Sequence, residues 1–99
     1  GAEPIIKELI KQGHKIILFT MRSGKELDEA VAWFNSNIGD LYGINVNPSQ
    51  HPWTQSPKAY GHVYIDDAAF GCPLKYDTEI AERPFVDWDK MLTMGILDM

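Results

Sequence analysis

The stretch HKIILFT, residues 14–20, decides the fold, because its apolar residues follow one another without polar alternation. Such a run is typical of a strand that is covered on both faces. We therefore predict an interior strand of a parallel sheet. Upstream, residues 3–12 carry isoleucine and leucine at helical spacing, and Gly13 suits the position just past a helix end. The chain thus opens with a predicted helix that leads into this strand.

A second helix is predicted over about residues 24–36. Ser23 and Glu26 form the S-x-x-E pattern of a capping box, and apolar residues follow at helical spacing. The next stretch, LYGINVN, predicts a short strand around residues 43–46. Residues 48–57 contain three prolines and no periodicity, which indicates a loop.

The last third of the chain gives weaker signals. The run HVYID, residues 62–66, predicts a third strand, and residues 84–86, PFV, an edge strand. A closing helix is expected from about Asp87, whose side chain could cap it. Core packing would account for seven of the aromatic residues, which are Trp33, Phe34, Tyr60, Tyr64, Phe70, Phe85 and Trp88.

Strands separated by helical segments indicate one α/β domain over residues 1–99, with a three-layer, Rossmann-like and mostly parallel sheet. The formal charge of −5 and the lack of a basic patch argue against nucleic-acid binding. The longest apolar run, residues 16–19, is far too short for a membrane span. The single Cys72 cannot form an internal disulfide, and its spacing from the histidines disfavours zinc. We therefore expect a cytoplasmic protein that does not contact a membrane.

The stretch TMRSGKE, residues 20–26, is a candidate phosphate-binding connection. Thr20 lies at a strand end, and Arg22, Ser23 and Gly24 precede a helix whose free amide groups favour an anion. The ordinary alternative is that Ser23 merely caps the helix while Arg22 is solvated.

Two neighbouring carboxylates, Asp66 and Asp67, follow the apolar run at residues 63–65. Like charges this close raise the cost of ionising each other, and a cation removes that cost. Mg²⁺ typically takes one or two carboxylates together with water and a substrate phosphate. The alternative is that one aspartate caps the next turn while the other faces water. Lys58 could reach the same strand end as a phosphate partner, although a surface lysine is usually only solvated.

Taken in order, these stretches resemble the haloacid dehalogenase-like (HAD) hydrolase superfamily, whose members are mostly Mg²⁺-dependent phosphatases. ILFTMRSG, residues 17–24, looks like its second motif, Lys58 like its third, and VYIDD, residues 63–67, like its fourth. The similarity spans nearly all of residues 4–97 and is closest to small members with little or no cap domain.

This resemblance implies that Thr20 and Lys58 are catalytic groups that hold and neutralise the transferred phosphoryl group. Asp66 would ligate Mg²⁺ directly, and Asp67 would assist. The substrate would be a small phosphorylated molecule. These roles agree with phosphoryl transfer, which depends on positioning and on charge neutralisation.

The chain departs from the family at the first motif, an Asp-x-Asp on the first strand that supplies the nucleophile. Only Gly1 and Ala2 precede Glu3, and the sole Asp-x-Asp, at residues 87–89, opens a predicted helix. We therefore expect a domain truncated at the N-terminus that lacks its first central strand. Another chain, a segment exchanged within a homo-oligomer, or an alternative pairing inside the monomer would fill the gap.

The sequence leaves two functions open. The first is a phosphatase-type domain or pseudoenzyme that is inactive by itself. The second is a non-catalytic α/β module, derived from the same fold, that binds a partner chain or a small anion. Response-regulator-like and nucleotide-binding domains also end strands on acidic residues, but their glycine or acidic patterns are not found.

Overall fold

Three α-helices and four short strands follow one another in the computed structural model, which describes residues 1–99. In chain order they are α1 (Ala2–Lys11), β1 (Ile17–Leu18), α2 (Gly24–Asn37), β2 (Gly43–Ile44), β3 (Leu74–Lys75), β4 (Phe85–Val86) and α3 (Trp88–Thr93), followed by a 3-10 turn (Ile96–Asp98). The predicted α/β class is confirmed. None of the helices has both the length and the apolar character needed to cross a bilayer.

The helix α1 ends where the sequence predicts. Gly13 takes a positive φ of 96°, which a residue without a Cβ adopts readily. Its N–H donates to the carbonyl of Ile10 at 2.9 Å, and the His14 N–H donates to that of Leu9 at 3.0 Å. These two bonds form a Schellman motif, which satisfies the last carbonyls of the helix.

The strands β1 and β2 form a parallel pair, as predicted for HKIILFT. Ile17 lies opposite Gly43 and Leu18 opposite Ile44, with α2 as the crossover between them. The prediction of an interior strand is wrong, because β1 has β2 as its single partner. Phe19 at the end of the run is 59% exposed, so the run is not covered on both faces either.

The strand predicted at residues 62–66 does not form. None of the backbone N–H and C=O groups of residues 62–65 makes a hydrogen bond within the chain. The side chain of Tyr64 instead turns back onto the preceding loop, where its hydroxyl donates to the Ala59 carbonyl at 2.7 Å. The same hydroxyl accepts from the Gly61 N–H at 3.0 Å. Strand propensity alone therefore gives no ladder here, because no neighbouring strand is in place to complete one.

The strands β3 and β4 form a second, antiparallel pair, with Leu74 opposite Val86. The strand predicted at residues 84–86 is confirmed, while β3 was not foreseen. The predicted cap of α3 is also confirmed, because Asp87 Oδ1 accepts from the Lys90 N–H at 3.0 Å. Since one pair is parallel and the other antiparallel, the mostly parallel three-layer sheet stays a prediction.

The core lies between α1, α3 and the 3-10 turn. Its four buried residues are Ile5, Leu9, Met91 and Ile96, and Ile16 and Ile65 are among the half-buried residues packed against it. Most of the aromatic residues assigned to the core lie outside it. Phe34 is buried, but Trp33 is 52% exposed and Phe70 is fully exposed. Only seven of the 99 residues are buried, which leaves much apolar surface open.

Candidate functional site

A cleft of about 880 Å³ lies between β1 and residues 59–66, a segment whose residues 62–65 make no backbone hydrogen bond. It is mostly apolar, and α1 and α2 contribute to its walls. Phe19 and Asp66, the residues at or next to the ends of the two predicted strands, both line it. The two stretches singled out by the sequence therefore border the same space.

The position of Thr20 is set by Asn45, the residue that follows β2. The Asn45 N–H donates to the Leu18 carbonyl at 2.8 Å, and the Thr20 N–H donates to Asn45 Oδ1 at 2.8 Å. Asn45 reaches both groups because it adopts a positive φ of 60°, which asparagine tolerates better than most residues. The hydroxyl of Thr20 accepts from the Arg22 N–H at 3.1 Å. Thr20 is thus held firmly at the carboxyl end of β1.

The connection after Thr20 is open to solvent. Arg22, Ser23 and Gly24 are exposed, and Ser23 starts α2 without a side-chain capping bond. The capping box is therefore wrong as a hydrogen-bond pattern, although the helix starts where it predicts. Thr20 and Arg22 line a shallow groove of about 440 Å³. Trp33 lines both this groove and the cleft, so it forms a wall that the two share.

Asp66 and Asp67 are both exposed at the start of a turn. Asp66 Oδ1 accepts from the Ala68 N–H at 2.9 Å, and the Asp66 carbonyl accepts from the Ala69 N–H at 2.9 Å. This is the turn-capping arrangement that the sequence left open as an alternative. The second carboxylate oxygen of Asp66 and the carboxylate of Asp67 make no protein hydrogen bond. These hard oxygen atoms suit Mg²⁺, which needs few protein ligands.

Lys58 lies in the loop that precedes the unpaired segment. Its ammonium group is 5.4 Å from the ring centroid of Tyr64, within the range of a cation-π contact. No ion pair joins Lys58 to Asp66. The lysine is therefore near the chain segment that carries Asp66, without contacting the carboxylate itself.

The buried side chain of Gln50 organises the loop around Lys58. Its Nε2 donates to the carbonyls of Ser56 at 3.2 Å and Lys58 at 3.0 Å. Its Oε1 accepts from the Tyr60 N–H at 2.8 Å. Sequence reasoning missed both Gln50 and Asn45. Asparagine after a short strand is a signal for a left-handed residue, whereas nothing local marks Gln50.

The candidate residues thus fall into three places: Thr20 and Arg22 at the groove, Asp66 at the cleft, and Lys58 over Tyr64. No hydrogen bond or ion pair links one place to another. Groups of three or more His, Cys, Asp or Glu side chains arranged to hold a metal ion are also not found. An ion held by one or two carboxylates and water needs no such group.

Comparison with known proteins found nothing similar: neither a family model, nor a curated protein, nor a solved structure matches this chain.

Proposed function

We propose that residues 1–99 are a HAD-like phosphatase-type domain of the cytoplasm, built for Mg²⁺-dependent hydrolysis of a small phosphomonoester and inactive by itself. The observation that supports this most is the shared cleft, because Phe19, next to Thr20, and Asp66 both line it. Ligand sites in α/β sheets lie at the carboxyl ends of strands. A three-layer Rossmann-like sheet would form once a further strand fills the cleft.

Each residue has a proposed role. The Thr20 hydroxyl and the Lys58 ammonium hold the phosphoryl oxygens, with help from Arg22 and from the amide groups of Ser23 and Gly24 at the start of α2. Asp66 ligates Mg²⁺, and Asp67 assists it. These groups position and neutralise the phosphoryl group, which is most of what phosphoryl transfer requires.

The nucleophile does not come from the one Asp-x-Asp of this sequence. Asp87 caps α3 through the Lys90 N–H, so its carboxylate is already engaged at a helix start. A covalent mechanism without its nucleophile gives little rate. We therefore expect no hydrolysis of p-nitrophenyl phosphate by residues 1–99 alone, measured with and without Mg²⁺. Robust Mg²⁺-dependent release would contradict this part of the proposal.

Binding of Mg²⁺ tests the metal site separately from turnover. We expect millimolar Mg²⁺ to raise the melting temperature modestly, by mass action on a weak site, and Asp66→Asn to abolish the rise. Asp77→Asn is the matched control, because Asp77 Oδ1 caps a turn in the same way, through the Glu79 N–H at 3.0 Å, away from the cleft. An equal rise in melting temperature in wild type and Asp66→Asn would contradict the proposal that Asp66 ligates Mg²⁺.

The second candidate function is a non-catalytic module that binds a partner segment or assembles with another chain. The open apolar cleft favours it, since exposed apolar surface of this kind often marks an interaction site. If the chain is such a module, it binds a partner segment, and neither Mg²⁺ nor phosphate changes its melting temperature.

A further inference from the structure

The two chain segments that border the cleft both have unused backbone hydrogen-bonding groups. On β1, the Leu18 carbonyl points to β2, and strand alternation turns the groups of Ile17 to the opposite side. The backbone groups of Lys15 and Phe19, which lie on that same side, make no hydrogen bond within the chain. Across the cleft, residues 62–65 make none either. Unpaired strand edges of this kind are templates for another strand.

The same two segments rest on one core without joining. Ile16, next to β1, and Ile65, from the facing segment, pack against the same cluster of buried residues from α1, α3 and the 3-10 turn. No hydrogen bond connects the segments. They are thus neighbours over a common base, with a gap between them.

The walls of this gap are apolar and poorly covered. Phe19 is 59% exposed, Trp33 52% and Val63 51%, and all three line the cleft. A ligand that only covered these apolar side chains would leave the backbone groups of β1 and of residues 62–65 without hydrogen bonds. A polar ligand would bond the backbone groups but leave the apolar side chains exposed. A β-strand with apolar side chains satisfies both needs.

We propose that the cleft binds an extended apolar peptide segment as an added strand, hydrogen-bonded to residues 15–19 on one side and to residues 62–65 on the other. The net charge of −5 favours a neutral or basic segment over a second copy of this acidic chain. The proposal deepens the proposed function and rests on it in one respect, since the strand would end beside Thr20 and Asp66. Strand binding itself requires neither Mg²⁺ nor phosphate.

The test uses a short peptide whose central valine and isoleucine residues are flanked by lysine pairs, added to the whole chain. Amide hydrogen exchange is measured residue by residue. We expect about tenfold or greater slowing at Ile17 and Phe19 and at every second amide of residues 62–65, because only alternate N–H groups of an extended segment face an added strand. The control peptide carries proline at its centre, with the same charge, and should not slow exchange because proline cannot pair within a sheet.

A matched pair of variants locates the binding. Val63→Lys places a charge in the cleft and should weaken binding of the valine peptide at least tenfold. Val46→Lys adds the same charge at a residue that is 57% exposed and outside the cleft, and should leave binding unchanged.

Two results would overturn the proposal. One is that the valine and proline peptides have the same effect on amide exchange; the other is that Val63→Lys and Val46→Lys bind the valine peptide equally well. Protection of the same amides in a dimer without peptide would overturn it in favour of a second copy. If Mg²⁺ does not raise the melting temperature but the valine peptide still binds, the phosphatase proposal is contradicted and the strand-binding proposal is not.

Discussion

At the scale of single residues, two amides decide the local geometry of the candidate site. Asn45, just past the end of β2, holds the backbone of Thr20, and Gln50 holds the loop that contains Lys58. Both act through backbone groups, so they place the site residues without contacting their functional atoms. The site residues themselves, being mostly exposed, depend on this support for their positions.

Replacing Gln50 tests this support directly. Gln50→Leu keeps the volume but leaves two carbonyls and one N–H of the loop without their partner. We expect it to lower the free energy of unfolding by about 1–3 kcal/mol, because three part-buried hydrogen bonds are lost together. Gln55→Leu, at an exposed position of the same loop, is the control and should change little. Urea unfolding measures both, and equal stabilities would show that Gln50 is not needed.

At the scale of elements, the helices could be predicted well and the sheet only in part. The helices α1 and α2 follow from the spacing of apolar residues close in sequence. Gly13 marks a helix end and Asp87 a helix start. A strand depends on a partner distant in sequence. HKIILFT finds one in β2, whereas HVYID finds none and remains unpaired. The sequence of β1 therefore could not show that one of its edges has no partner strand.

Two helix starts give opposite predictions for capping residues. Asp87→Ala should lower the free energy of unfolding by about 1 kcal/mol, because its carboxylate accepts from the Lys90 N–H. Ser23→Ala should change it by less than about 0.5 kcal/mol, because the Ser23 side chain makes no capping bond. Thermal unfolding followed by circular dichroism compares them. A larger loss from Ser23→Ala would mean that a capping box forms after all.

At the scale of the whole molecule, the number of buried residues sets the stability. With seven of 99 residues buried and none of the large side chains fully so, the hydrophobic contribution is small. We expect a free energy of unfolding at or below about 5 kcal/mol, the lower end for a domain. Urea unfolding followed by tryptophan fluorescence measures it, and a value above about 10 kcal/mol would contradict the estimate. The valine peptide should raise the midpoint, whereas the proline peptide should not.

The candidate site was predictable as a set of residue types but not as an arrangement. Thr20 and Asp66 were identified because each follows an apolar run, and both runs do border one cleft. Their distance from Lys58 depends on how the loop at residues 48–57 folds, which Gln50 decides through contacts that no local pattern encodes. The exposed state of Trp33 and Phe70 was also unforeseen, because hydrophobicity predicts burial only where enough other chain is present to cover a ring.

The indole ring of Trp33 lines both the groove that holds Thr20 and the apolar cleft. A ligand in the cleft that displaced the Trp33 ring would therefore change the shape of the groove that Thr20 and Arg22 line. By thermodynamic reciprocity, an anion held at the groove would then alter the grip on a strand in the cleft by the same factor.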